Sequence, residues 1–147
     1  MKVSTKGRYG LRAMVDLAIH APEGHVALNA IAKRQDISVN YLEQVFSALR
    51  KAGLVKSVKG AQGGYAMAMR PSQMTVGMIL RSLEGKLVVV DEADKDIAQN
   101  SVQHCIQLMV WDAMTETVNN LVDHMTLEDL ANEYRNMAGK DSSVYFI

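Results

Sequence analysis

Four polar side chains, Asn40, Tyr41, Glu43 and Gln44, follow directly on Ser38. Set on a helix, they lie off the apolar stripe Leu42, Val45, Phe46 and Leu49, which recurs at i, i+3, i+4 and i+7. Short or planar polar groups placed this way can read base edges in the major groove of DNA. Glutamine bonds adenine through both amide atoms, and glutamate accepts from the cytosine amino group. Arg50, Lys51, Lys56 and Lys59, with Lys2, Lys6 and Arg8 near the N-terminus, can bond phosphates. Such contacts supply affinity and register rather than sequence information. The plain alternative for Asn40 to Gln44 is a solvated polar face.

Lys59-Gly60-Ala61-Gln62-Gly63-Gly64 is basic and rich in glycine, so its tip can approach a nucleic-acid backbone closely. As a nucleotide-phosphate cradle it lacks the Gly-Lys-Ser/Thr ending and runs into a strand, not a helix. The single cysteine, Cys105, excludes an intrachain disulfide and a zinc site built on paired cysteines, and suits a reducing cytoplasm. It reads first as a small buried hydrophobe, with a redox-sensing thiol as the rival. His20, His25, His104 and His124 lack metal-site spacing, and the acidic run 91–96 reads as a solvated loop. No nucleophile–base pair can be assembled, which argues against an enzyme.

The elements that must hold these groups are legible in outline. Apolar spacing predicts helices over 5–20 and 28–35, with Ala21-Pro22-Glu23-Gly24 stopping the first. After the turn Gln35-Asp36-Ile37-Ser38, Ser38 caps a third helix over Val39–Ala52, and Gly53 ends it. Leu54–Val58 and Tyr65–Ala68 read as a β-hairpin around the glycine loop. Thr75 caps a fourth helix that stops at Gly85, and Leu87–Val90 looks extended. A long amphipathic segment starts at Ile97 or Val102 and runs to Met125. Its apolar surface exceeds what a small neighbour hides, so a partner helix is expected. Thr126-Leu127-Glu128-Asp129 opens a last helix to about Ala138, with Gly139 beyond and an apolar end, Val144-Tyr145-Phe146-Ile147.

Helix, turn, capped helix, basic hairpin is the order of a winged helix-turn-helix. The expected fold is mainly α: a winged helix-turn-helix with a small β-hairpin wing, plus a long dimerisation helix. The expected division is 1–85 for the DNA-binding domain, 86–100 for a connector or sensor loop, and 101–147 for the dimerisation helix and tail.

The 147 residues suit one compact domain with such an appendage. Formal charge is zero, yet residues 1–70 hold 11 Lys+Arg against 4 Asp+Glu, and residues 71–147 hold 5 against 12. A +7 half joined to a −7 half fits a polyanion-binding module attached to something else. No apolar run is long enough to span a membrane, and the N-terminus lacks a signal-peptide core, so a cytoplasmic location is expected.

Ser4-Thr5-Lys6-Gly7-Arg8-Tyr9-Gly10, Ile37-Ser38 with Tyr41-Leu42-Glu43-Gln44, Gly53 to Gly60 and Gly63-Gly64-Tyr65 resemble the Rrf-two family of bacterial transcription regulators. The resemblance implies a homodimer on a palindromic operator, with dimerisation through about 100–124, and a repressor is the expected role. It implies DNA contacts from Ser38, Asn40, Tyr41, Glu43 and Gln44, and from Lys59 on the wing. Some relatives carry arginine at the Lys59 position, which implies weaker minor-groove insertion here.

Cluster-binding members hold iron–sulfur with three cysteines and often a histidine. Here Cys105 matches the last cysteine, Gln99 stands in the middle place, the first falls near Ala93, and Leu108 takes the histidine place. One thiolate does not make a cluster site, so no cofactor is expected. The pattern is nearest to the family's cluster-free cysteine-metabolism repressor, which implies control of cysteine, sulfur or iron–sulfur metabolism. In that repressor the signal comes through cysteine synthase, an expected partner here on the likeness of Thr126–Leu130 and Tyr145–Ile147. Two other readings stay open: a protein-interaction module on a winged-helix scaffold, and a regulator switched by oxidation of Cys105.

Overall fold

Local caps start the helices where the sequence offers them. In a computed structural model, which describes residues 1–91 and 97–144, Ser4 accepts from the Gly7 N–H and opens α1 (Thr5–His20). A turn leads to α2 (Leu28–Gln35), which ends on Asp36 in the left-handed region at φ 54°. Ser38 Oγ then accepts from the Tyr41 N–H at 3.1 Å and opens α3 (Val39–Lys51). Gly53, at φ 79°, turns the chain out of that helix. β1 (Val55–Val58) and β2 (Gly64–Met67) form the antiparallel wing, with Val55 opposite Met67 and Val58 opposite Gly64. Val26, just before α2, adds an antiparallel bridge to Tyr65. A 3-10 turn (Pro71–Gln73) that apolar spacing does not signal precedes α4 (Val76–Glu84), which Thr75 caps.

The apolar stripes of α1, α2 and α3 meet in one core. Met14, Leu17, Ile31, Leu42, Phe46, Leu49, Met74 and Ile79 are fully buried there, each worth about 1.5–3 kcal/mol of burial. Gly10 lets α1 and α4 touch: a Cβ there would stand 2.2 Å from Leu83 Cδ1. Asp16, only 2% exposed, is paired rather than stranded. It accepts from Arg34 Nη2 at 2.7 Å and Nε at 3.0 Å, and from Gln35 Nε2 at 2.9 Å. These bonds fasten the end of α2 to α1 and hold the Arg34 guanidinium above its usual pKa.

Leu87–Val90 forms no strand. Leu87 is buried against Val76 and Leu80, and the Val89 N–H donates to Thr115 Oγ1 at 3.0 Å. The long amphipathic segment begins at Val102. It comprises α5 (Val102–Ile106), a π-helical turn (Gln107–Trp111) and α6 (Asp112–Asp123), where an uninterrupted α-helix was expected. The predicted capping box is present: Thr126 N–H donates to Asp129 Oδ2 at 2.9 Å, and Asp129 N–H to Thr126 Oγ1 at 3.1 Å. It opens α7 (Leu127–Val144), which passes the expected stop at Gly139. Gly139 has no positive φ, and a glycine inside a helix costs only about 1 kcal/mol relative to alanine.

The start of α7 belongs to the same core as α1, α2 and α3. Leu127 is fully buried in it, its N–H donates to the Met74 carbonyl at 2.8 Å, and Val76 N–H donates to the Met125 carbonyl at 2.8 Å. The first turn of α7, expected with the dimerisation segment 101–147, therefore packs with the helices of the 1–85 segment. Most of the acidic run, 92–96, and the apolar end Tyr145-Phe146-Ile147 lie outside the described residues. No described helix is long and apolar enough to cross a membrane.

Candidate nucleic-acid interface

Packing fixes which side of α3 faces water. Leu42, Val45, Phe46 and Leu49 point into the core, so Asn40, Glu43, Gln44 and Arg50 are left exposed on the other side. Ser38 is exposed too, with its hydroxyl engaged as the cap. Tyr41 is half-buried: its ring meets Tyr9 edge-on, with centroids 5.9 Å apart and planes at 78°. Its size and face thus serve the α1–α3 joint as well as any ligand.

Between α3 and the wing runs a groove of about 700 Å³. Glu43 and Arg50 of α3 and Lys59 of the wing share it with Asn29, Ser47 and Ser57. Ser47 stands on the polar face of α3 that the sequence shows, whereas Asn29 and Ser57 are not signalled by it. Asn29 sits in the first turn of α2 and Ser57 on a strand with no clear alternation, so only the tertiary arrangement reveals their common groove. Among the described residues the ion pairs are Arg34–Asp16 and Arg81–Asp123. Arg50, Lys51, Lys56 and Lys59 are in neither, which leaves them open to an outside anion.

The structure parts Arg8 from this set. Arg8 lines a separate cavity of about 600 Å³ between α1 and α7, with Leu11, Val15, Tyr134 and Met137. Its guanidinium donates to Thr5 Oγ1 at 3.2 Å. Lys6 is half-buried and is absent from the α3–wing groove lining. The wing glycines have a second reason to be there. A Cβ at Gly63 would stand 2.1 Å from the Val58 carbonyl oxygen, and one at Gly64 2.1 Å from that of Val26. The hairpin itself requires both.

Cys105 is exposed, not the small buried hydrophobe that the sequence favoured. It lies at the head of an apolar surface left uncovered in the single chain: Val102 is 77% exposed, Met109 73% and Leu121 60%. The donor set for an iron–sulfur cluster is incomplete. The chain has one cysteine, Gln99 and Leu108 bear no thiolate or imidazole, and no group of three or more possible metal ligands occurs among the described residues. These residues do not fit a cluster.

Comparison with known proteins agrees with this geometry. Residues 3–133 match the family model described as Rrf2, iron-dependent transcriptional regulator. The chain is 43% identical to the transcriptional regulator CymR of Bacillus subtilis over 133 residues, 90% of this chain and 91% of the relative. It is 39% identical to the regulator IscR of Aliivibrio salmonicida over 130 residues, 88% of this chain and 77% of the relative. The solved structure of B. subtilis CymR, described as the global cysteine regulator, superposes with a TM-score of 0.77 at 41% identity, over 90% of this chain and 98% of that one. That of T. potens IscR gives 0.73 at 46% identity, over 91% and 88%. These relatives are regulators, not enzymes, and share the winged-helix architecture found here. The chain belongs to the Rrf2 family of transcriptional regulators.

Proposed function

We propose that this DNA-binding regulator works as a homodimeric, sequence-specific repressor on a palindromic operator. The observation that carries the reading is the α3–wing groove. Glu43 stands in it with Arg50 and Lys59, neither of which is in an ion pair among the described residues, while Asn40 and Gln44 are exposed on the same capped helix outside the groove lining. Glu43 and Gln44 select bases, while Arg50 and Lys59 hold phosphates. Ser38 sets the helix start, and Asn40 and Tyr41 complete its first turn against the duplex. Lys6 serves the flanking backbone; Arg8, turned toward α7, contributes less than its charge suggests.

The apolar side of α5, the π turn and α6 pairs two copies. A dimer sets two recognition helices about 34–36 Å apart, one turn of duplex. The chain acts without a cluster, because its donor set is incomplete. Control of cysteine or sulfur genes is supported by the likeness to CymR. A protein signal such as cysteine synthase would suit a cluster-free regulator, and exposed Cys105 offers the rival route by oxidation.

Operator titration against a scrambled duplex tests the role assignment. Gln44→Ala or Glu43→Ala relaxes preference at one base position by about 1–3 kcal/mol. Lys59→Ala weakens both duplexes alike and lowers the salt slope by about one unit. Protein purified anaerobically for these titrations is colourless. Identical behaviour of Gln44→Ala and Lys59→Ala on the two duplexes refutes the assignment.

A further inference from the structure

The wing is held by more than its own two strands. Ahead of α2, Val26 exchanges both backbone bonds with Tyr65, at 3.0 and 2.9 Å. One residue earlier, His25 Nε2 lies 2.7 Å from the carbonyl oxygen of Gln62, at the far side of the glycine loop. A carbonyl only accepts, so this ring nitrogen carries the proton. Within the loop, the Gly63 N–H donates to the Gly60 carbonyl at 3.1 Å, and Gly63 presses on the Val58 carbonyl too closely for a side chain. Lys59 thus projects from a loop whose returning end is tied to the body through an exposed imidazole.

We propose that His25 is a positioning residue for DNA binding: its bond to Gln62 anchors the wing tip so that Lys59 is presented to the duplex already ordered. The inference rests on the DNA-reading function proposed above. A loop that must be ordered on binding pays that cost out of its affinity. Lys59 meets phosphate, so the cost falls on every sequence alike, whereas base selection by α3 is untouched. The imidazole is exposed and lies outside the core, so its removal spares the fold.

His25→Ala and His25→Gln distinguish an anchor from a bystander, because the glutamine amide nitrogen takes the place of Nε2. Hydrogen exchange at the Gly63 amide in DNA-free protein reads the anchor alone. His25→Ala speeds it about tenfold, and His25→Gln keeps it slow. In titrations, His25→Ala binds operator and scrambled duplex about three- to tenfold more weakly at an unchanged ratio between them, and His25→Gln restores both. Unaltered exchange in His25→Ala overturns the anchor whether or not DNA is bound. Faster exchange with unchanged affinity overturns the positioning role. Failure of the unaltered protein to bind any duplex overturns the proposed function, and the role of His25 in it.

Discussion

The α3–wing region and the α5–α6 arm are built from the same kinds of residue and finished differently. In the first, the apolar stripe of α3 is buried: Phe46, Leu42 and Leu49 at 0% and Val45 at 1% exposure, with Val39 and Tyr41 packed against it. What it shows to water is polar and charged. In the second, α5, the π turn and α6 contain no buried residue at all, and Val102, Leu108, Met109, Met114 and Leu121 stand in solvent. A monomeric surface rarely tolerates so much contiguous apolar area. The contrast teaches that one region is complete as a single chain, whereas the other is left with the uncovered face that the proposed dimer would bury.

Substitutions on either side of that contrast test it. Phe46→Ala leaves a cavity under α3 and costs about 3–5 kcal/mol, measured by urea unfolding at fixed protein concentration. A loss under about 1 kcal/mol would contradict full burial of Phe46 in the core. Met109→Glu leaves the single chain intact, because that side chain is already exposed, but puts charge into the face proposed to pair. Sedimentation then shows a monomer, and operator affinity falls about a hundredfold, since two linked half-site contacts become separate events. A dimer with normal affinity would assign the pairing to another surface.

The smallest effect concerns the joint between the two regions. Arg81 donates to Asp123 at 2.6 and 2.8 Å and to Asn119 Oδ1 at 2.6 Å, tying α4 to α6. The hydrogen bonds from Arg81 hold the Asp123 carboxyl below its ordinary pKa. The folded state therefore binds its proton less readily than the unfolded chain. The stabilisation is complete above the unfolded-chain value and disappears as pH falls through the folded one. Asp123→Asn lowers the melting temperature slightly at neutral pH, and the gap to the unaltered protein closes on acidification. A gap that persists in acid would remove the ion pair as its cause. The pair is partly exposed, so the effect is small.

Legibility in the sequence follows the range of the forces involved. Ser4, Ser38, Thr75 and Thr126 each cap a helix where the sequence offers an oxygen to orphan N–H groups, and Gly53 and Gly85 end helices at positive φ. Those signals act within four residues. The exposed set Asn40, Glu43 and Gln44 follows from the stripe opposite it. Arg8 turning toward α7, Tyr41 packing on Tyr9 and the exposure of Cys105 depend on neighbours distant in the chain, which no local pattern encodes. The π turn gives as little local warning, since Gln107–Trp111 differs in no evident way from ordinary helix-forming sequence.

Leu127 gives the molecule an unusual seam. Its side chain fills the core of α1 to α4 and its amide closes on Met74, so the first turn of the last helix is a structural part of this winged head although the arm intervenes in the chain. Heads of this design do not come off as cassettes. Grafting this reader onto a foreign dimer stalk requires Leu127 to Ala131 to travel with it, or a substitute plug for the hole they leave.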